Sequence, residues 1–335
     1  MIHLCFRTSR AIPLSLLGVL GVAILTGCHQ SNRLDSDPLS ANKDCSAVAH
    51  AVGATCIPNQ IERVVTLDTV SFENAVALGL KPVAAVEFKV LESLFSEKLE
   101  DVVNLGNHNS PNLERVLQLT PDLILGLKEQ QTIYNQVSQI APTVLVPFEH
   151  SGQWKEMFAF TADTLGMSDQ AKSVIEAYNK RMEDFKQAMD ANLSRQNGRR
   201  KPTVSVVRIY PDSITLYTKA GFIGTVLEDA GLPRPPSQDL TIEETLLLDS
   251  STIQYTISKE SFDKADADVI FIIVGAWDDK IEDVLVELKA EPLWSKLEAV
   301  RQGSVYEVGD HWVGTGPIAA NAVLDELYTY LVEGD

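Results

Sequence analysis

Residues 168–195 read SDQAKSVIEAYNKRMEDFKQAMDANLSR, with neither proline nor glycine. Val174, Ile175, Tyr178, Met182, Phe185, Met189 and Leu193 recur mostly at steps of three and four, which puts them on one face of a helix. At about 1.5 Å per residue the helix is roughly 40 Å long, enough to run the length of two small lobes. Asn197-Gly198-Arg199-Arg200-Lys201-Pro202 ends it. The stretch decides the fold because short apolar runs alternating with helical segments flank it on both sides.

Upstream, Ile61–Leu67, Val83–Val86, Val102–Leu105, Leu123–Leu125 and Thr143–Val146 read as strands. Between them, Ser71–Leu78 (with Gly79 behind it), Pro111–Leu119 and Thr132–Ile140 read as helices. Downstream, Val204–Ile209 is a strand, Tyr210-Pro211-Asp212-Ser213 a turn and Ile214–Tyr217 its hairpin partner. Gly221–Ala230, Ile281–Leu288 and Pro317–Leu331 are helices; Val269–Val274 and Val305–Val308 are strands. Strands alternating with helices predict parallel sheets covered on both faces. The halves echo each other: Glu114 precedes Asp122-Leu123-Ile124-Leu125 as Glu260 precedes Asp268-Val269-Ile270-Phe271. The expected fold is α/β, two Rossmann-like lobes with parallel sheets joined by one long interlobe helix, with a cleft at the strands' carboxyl ends. The expected organisation is an N-terminal lobe over 61–150, a helical region over 151–200 that contains 168–195, and a C-terminal lobe over 201–335.

The chain has 335 residues with 28 Lys+Arg against 46 Asp+Glu, a formal charge of −18. That balance opposes nucleic-acid binding, which needs a basic face. Arg7 and Arg10 precede an apolar run from Ala11 to Leu25, the layout of an export signal too short for a spanning helix. The run ends in Leu25-Thr26-Gly27-Cys28, which resembles the bacterial lipobox, so residues 1–27 are expected to be removed and Cys28 lipidated. Losing Arg7 and Arg10 takes the formal charge from −18 to −20. Polar residues 29–44 read as a tether within a 28–60 segment. Cys45 and Cys56 remain, in an oxidising compartment, and predict a disulfide around Ser46–Thr55. The alternative, a metal or redox thiol pair, lacks Cys-x-x-Cys spacing.

Several collinear segments resemble a known family. They are Ile61-Glu62-Arg63-Val64-Val65-Thr66-Leu67-Asp68 with Ala77-Leu78-Gly79-Leu80-Lys81-Pro82-Val83; Pro111-Asn112-Leu113-Glu114-Arg115-Val116 with Thr120-Pro121-Asp122; and Gln139-Ile140-Ala141-Pro142-Thr143-Val144. Arg208-Ile209-Tyr210-Pro211-Asp212, Leu227-Glu228-Asp229-Ala230-Gly231-Leu232-Pro233 and Gly314-Thr315-Gly316-Pro317 continue the match. Together they are similar to the substrate-binding lipoproteins of iron–siderophore ABC importers, in the cobalamin- and siderophore-binding group of ferric-citrate and ferrichrome type. The cysteine pair before the first strand looks like that group's cyanobacterial branch. The resemblance implies a class III periplasmic-binding-protein fold and a periplasmic, lipid-anchored monomer without cofactor. It implies capture of a ferric siderophore between the lobes and delivery to a membrane permease. Cobalamin, haem or a bare metal ion are the alternative cargoes. Glu114 and Glu260 match the positions where one glutamate per lobe docks on permease arginines; on the residues alone, both also suit helix N-termini.

The cleft candidates follow from their places at strand ends. Arg208 is a charge closing an apolar strand, where a planar guanidinium can bind ligand oxygens, and Tyr210 shares its face. Asp68 and Thr69 follow the first strand, Glu87 the second, Asn107 and His108 the third and Lys128 the fourth. Trp277 and Trp312 follow strands of the second lobe and can cover a bulky chelate. Tyr217 and Phe222 are further candidates, while Trp154 and Trp294 read as core. No residue is expected to bind metal directly: His29, His50, His108, His150 and His311 show no ligand spacing. Gly314-Thr315-Gly316 lacks the Lys-Ser/Thr of a phosphate loop, and there is no Gly-x-Ser-x-Gly or His-Glu-x-x-His. No catalytic residue is expected.

Overall fold

The computed structural model describes residues 45–86, 92–95, 98–195, 198–275 and 280–334. The expected signal, Cys28, Glu87 and Trp277 lie outside the described residues.

The chain enters through an antiparallel hairpin, β1 (Cys45–His50) and β2 (Gly53–Pro58). Cys45 and Cys56 are disulfide-bonded across it, with Cα atoms 5.5 Å apart. Ala51 N–H donates to Leu145 O at 2.9 Å and Thr55 Oγ1 to Thr143 O at 3.0 Å, which docks the hairpin on the first lobe.

The first lobe consists of β3 (Val64–Thr66), β4 (Ala84–Ala85), β5 (Val103–Asn104), β6 (Leu123–Leu127) and β7 (Thr143–Val146). They form one sheet in the order β5-β4-β3-β6-β7, parallel throughout. Val64, Val65, Thr66, Leu123, Ile124 and Leu125 are all buried, as a sheet covered on both faces requires. The strands β3, β4 and β5 are shorter than their apolar runs, Ile61–Leu67 narrowing to Val64–Thr66, whereas β6 runs past Leu125 to Leu127 and β7 matches Thr143–Val146. The helix expected over Thr132–Ile140 is instead a 3₁₀ turn, Lys128–Thr132, and one α turn, Tyr134–Val137.

The second lobe consists of β8 (Val204–Ile209), β9 (Ile214–Tyr217), β10 (Gln254–Ile257), β11 (Val269–Ile273) and β12 (Val305–Val308). Their order, β10-β9-β8-β11-β12, repeats that of the first lobe position for position. The expected hairpin of Val204–Ile209 with Ile214–Tyr217 is present, so β9 runs antiparallel to β8, and also to β10, and this sheet is mixed where that of the first lobe is parallel. The turn Tyr210–Ser213, closed by Tyr210 N–H to Ser213 O at 2.9 Å, is far too short for a parallel crossover.

The helix Ser168–Arg195 joins the lobes and buries Ala171, Tyr178, Met182, Phe185 and Met189. Phe185 packs edge-on against Tyr328 of the closing helix Pro317–Tyr328, and Arg181 binds Asn321 and Asp325 of that helix. Tyr178 O–H donates to Asp229 at 2.7 Å, and Lys155 pairs with the same carboxylate at 2.6 Å. Trp154 opens the helix Trp154–Thr164 and packs edge-on against Tyr178, with centroids 5.3 Å apart. One apolar cluster holds Val70, Leu127 and Val146 of the first lobe together with Trp154, Tyr178, Phe222 and Trp312.

A buried carboxylate also crosses between the lobes. Glu73, on the helix Thr69–Ala77, is fully covered, and its Oε1 accepts from Ala319 N–H at 2.8 Å, at the start of the closing helix. Burial raises its carboxyl to about 7, against the lowering effect of the Ala319, Thr315 and Ile318 amides. A Cβ at position 316 would fall 2.5 Å from Glu73 Cδ, so any side chain there would displace the Glu73 carboxylate.

Candidate functional site

A cavity of about 440 Å³ opens between the lobes, within the size range of small-molecule sites. On the first-lobe side it is lined by the segments that leave the sheet. Asp68, Thr69 and Val70 follow β3, Val86 follows β4, His108 lies beyond β5, Leu127, Glu129 and Gln130 continue β6, and Phe148 follows β7. On the second-lobe side the lining comes from Arg208 of β8, Tyr217 ending β9, Phe222 and Ile223 opening a helix, and Ile253 before β10. Trp312, Val313 and Thr315 after β12 and Ser151 between the lobes complete it. The carboxyl ends of parallel strands converge on it, where open α/β sheets hold their ligands. A larger groove, of about 770 Å³, lies at the opposite, N-terminal ends of β11 and β12, between Val269, Ser304, Tyr306, Tyr330 and Arg199.

Each wall is held by its own local chemistry. Asp68 caps the helix Thr69–Ala77: one oxygen accepts from Ser71 N–H at 2.7 Å and the other from Ser71 Oγ at 2.8 Å. Burial raises its carboxyl to about 6, against the Ser71 hydrogen bonds that lower it. Gln130 turns back, its Oε1 accepting from Leu127 N–H at 2.8 Å, which shapes the turn that presents Glu129. In the second lobe Arg208 Nη2 donates to Asp310 Oδ1 at 2.9 Å, with side chains 10% and 6% exposed. Trp312 is fully covered, lies 4.3 Å from the Phe271 ring and donates through Nε1 to Glu326. Phe222 N–H donates to Ser151 Oγ at 3.1 Å, tying the two sides.

Of the residues expected from sequence, the cavity gathers Asp68, Thr69, His108, Arg208 and Trp312, with Tyr217 and Phe222. Tyr210 is not in the lining; its ring lies 5.0 Å from the Arg208 guanidinium carbon. Lys128 and Asn107 are exposed and also outside the lining, and Lys128's neighbours Glu129 and Gln130 take the place expected of it. Arg208 is also one half of a buried ion pair with Asp310. Trp154 is core, and Trp294 is half-buried and stacked on Phe262. Sequence reading misses Glu129, Phe148 and Ile253. For the first two, the signal is their place just past a strand; for Ile253 there is none.

The family profile described as periplasmic binding protein matches residues 64–311. The "probable siderophore-binding lipoprotein YfiY" of Bacillus subtilis is 32% identical over 327 residues, covering 94% of this chain and 96% of that protein. The "Fe(3+)-citrate-binding protein YfmC" of the same organism is 27% identical over 334 residues, covering 96% of this chain and 98% of that protein. The crystal structure of Staphylococcus aureus SirA complexed with staphyloferrin B superimposes with a TM-score of 0.72 at 28% identity, over 85% of this chain and 97% of that one.

Proposed function

The chain belongs to the periplasmic binding protein family, and from that membership we propose that it is the substrate-binding component of an iron–siderophore ABC importer. It captures a ferric siderophore in the interlobe cavity and hands it to a membrane permease. The observation that carries this reading is the cavity itself. Both sheets contribute to it, an arginine stands at the end of β8, and the aromatic residues Phe148, Phe222 and Trp312 are among those that line it. The iron arrives with its coordination shell already filled by the siderophore.

The remaining parts of the reading rest on sequence. The export signal and the lipobox-like Leu25–Cys28 support a chain tethered outside the cytoplasm by lipid on Cys28. No helix among the described residues is long and apolar enough to cross a membrane. Membership of the cyanobacterial branch rests on the pair Cys45 and Cys56. Glu114, on the helix Leu113–Gln118, and Glu260, on the 3₁₀ segment Lys259–Ala265, are the permease contacts. Both are exposed, and neither enters an ion pair among the described residues. Each stands before the fourth strand of its sheet, β6 or β11, so the pseudo-repeat sets one carboxylate on each lobe.

Tryptophan quenching tests the cargo, with ferric siderophores, iron-free siderophores, cobalamin and free ferric ion offered separately. Saturable quenching by a ferric siderophore is expected; a response to free ferric ion alone overturns the reading. For docking, Glu114→Arg combined with Glu260→Arg should abolish uptake in cells while sparing ligand affinity, and normal uptake would remove those two residues from the interface.

A further inference from the structure

The fixed charges around the cavity do not balance. The first-lobe wall presents Asp68 and Glu129 and, among the described lining residues, neither lysine nor arginine. The two carboxylates sense each other, since Glu129 is one of the groups that hold the Asp68 proton. The second-lobe wall has one cation, Arg208, and Asp310 lies 2.9 Å from it with almost no solvent between them. Its charge is therefore already matched from inside the protein. The nearest further cation in sequence, Lys128, lies outside the lining. Among the described residues three carboxylates thus stand against one guanidinium, and His108 and Tyr217 are the other ionisable side chains of these walls.

Resting on the siderophore reading, we propose that this imbalance sets the ligand class: the cavity accepts ferric complexes without net negative charge, of the tris-hydroxamate type, and rejects tris-catecholates. The difference lies in the chelate's own charge. Three monoanionic hydroxamates around trivalent iron leave a neutral complex; three dianionic catecholates leave a trianion. A trianion entering a cavity with uncompensated carboxylates is repelled at short range, where water screens poorly. It is also repelled on approach by the acidic surface, an effect that salt weakens. A neutral chelate meets no such barrier and gains from burial against Val86, Phe148 and Ile223.

The test uses the full mature chain, with tryptophan quenching and isothermal titration calorimetry read in parallel. The probes are ferrichrome (neutral), the ferric complex of desferrioxamine B (cationic) and ferric enterobactin (trianionic), each at low and high salt. The hydroxamates are expected to bind at least about a hundredfold more tightly at low salt, with the gap narrowing as salt rises. Glu129→Gln should raise the affinity for ferric enterobactin relative to ferrichrome by on the order of tenfold. Enterobactin binding as tight as the hydroxamates, or an affinity ratio that Glu129→Gln leaves unmoved, overturns the charge selection while the siderophore reading stands. If no ferric complex of any charge binds by either method, the siderophore reading fails and the selection falls with it.

Discussion

The first lobe orders its strands β5-β4-β3-β6-β7 and the second β10-β9-β8-β11-β12, the same positions reached through different connections. In the first lobe every neighbour is parallel, strands are two to five residues long, and the cavity wall is made by the loops beyond them. In the second a tight hairpin reverses β9, and the wall includes a strand residue, Arg208, locked to Asp310. One wall is acidic and held by a helix cap; the other is aromatic and held by a buried ion pair. Shared topology places both walls at the cleft, and local chemistry decides what each wall offers a ligand.

The largest effect that would test this contrast is Arg208→Ala. It leaves Asp310 covered and deprived of its arginine, and should cost about 3–5 kcal/mol of stability. Removing the first-lobe counterpart with Asp68→Ala should cost only about 1 kcal/mol, the usual loss for a helix cap. Denaturant unfolding of the two variants measures both, and a smaller loss at Arg208 than at Asp68 would break the comparison.

Glu73 tests the join between the lobes. Its folded value of about 7 lies above its ordinary 4.5, so the folded state keeps a proton that the unfolded chain has released. Its contribution to stability is therefore present at low pH and is lost as pH rises from about 4.5 to about 7. Wild type should gain about 3 kcal/mol relative to Glu73→Gln when pH falls across that window. Melting curves at pH 8 and pH 5 read this difference, and parallel shifts in the two proteins would remove Glu73 from the linkage.

The hairpin belongs to the first lobe alone. Replacing Cys45 and Cys56 by serine should cost at most about 3 kcal/mol, with ligand affinity unchanged because the hairpin is remote from the cavity lining. The smallest effect is expected at Lys128→Ala, less than about twofold in ligand affinity, since that side chain lies outside the lining. A large loss there would restore a cation to the first-lobe wall and weaken the contrast.

Much of this was legible in the residue order, and the failures have physical causes. Ser168–Arg195, Val204–Ile209, Ile214–Tyr217 and Val305–Val308 end where their patterns end. These elements carry their own periodicity and stop signals. The strands β3, β4 and β5 are shorter than read because a strand ends where its neighbour stops pairing, which an apolar run does not record. The β1–β2 hairpin escaped because Cys45–Pro58 is made mostly of small residues with no sustained alternation, and only Ile57 and Val48 bring it onto the apolar cluster of the first lobe. Arg208 was recognisable as a charge ending an apolar strand. Glu129 was not separable from Lys128 by sequence, because the choice between adjacent residues on a 3₁₀ turn depends on how Gln130 folds back on Leu127.

The sequence by itself determined two α/β halves, the helix between them, the cysteine pair and the acidic charge. Periodicity, composition and spacing are local properties of the chain. Only the tertiary structure decided that Asp310 neutralises Arg208 across 102 positions and that Glu73 caps a helix 246 positions away. It also decided that Asp68 and Glu129 share one cavity wall. Electrostatics depends on distance through space and on exclusion of water, and neither is written in the order of the residues.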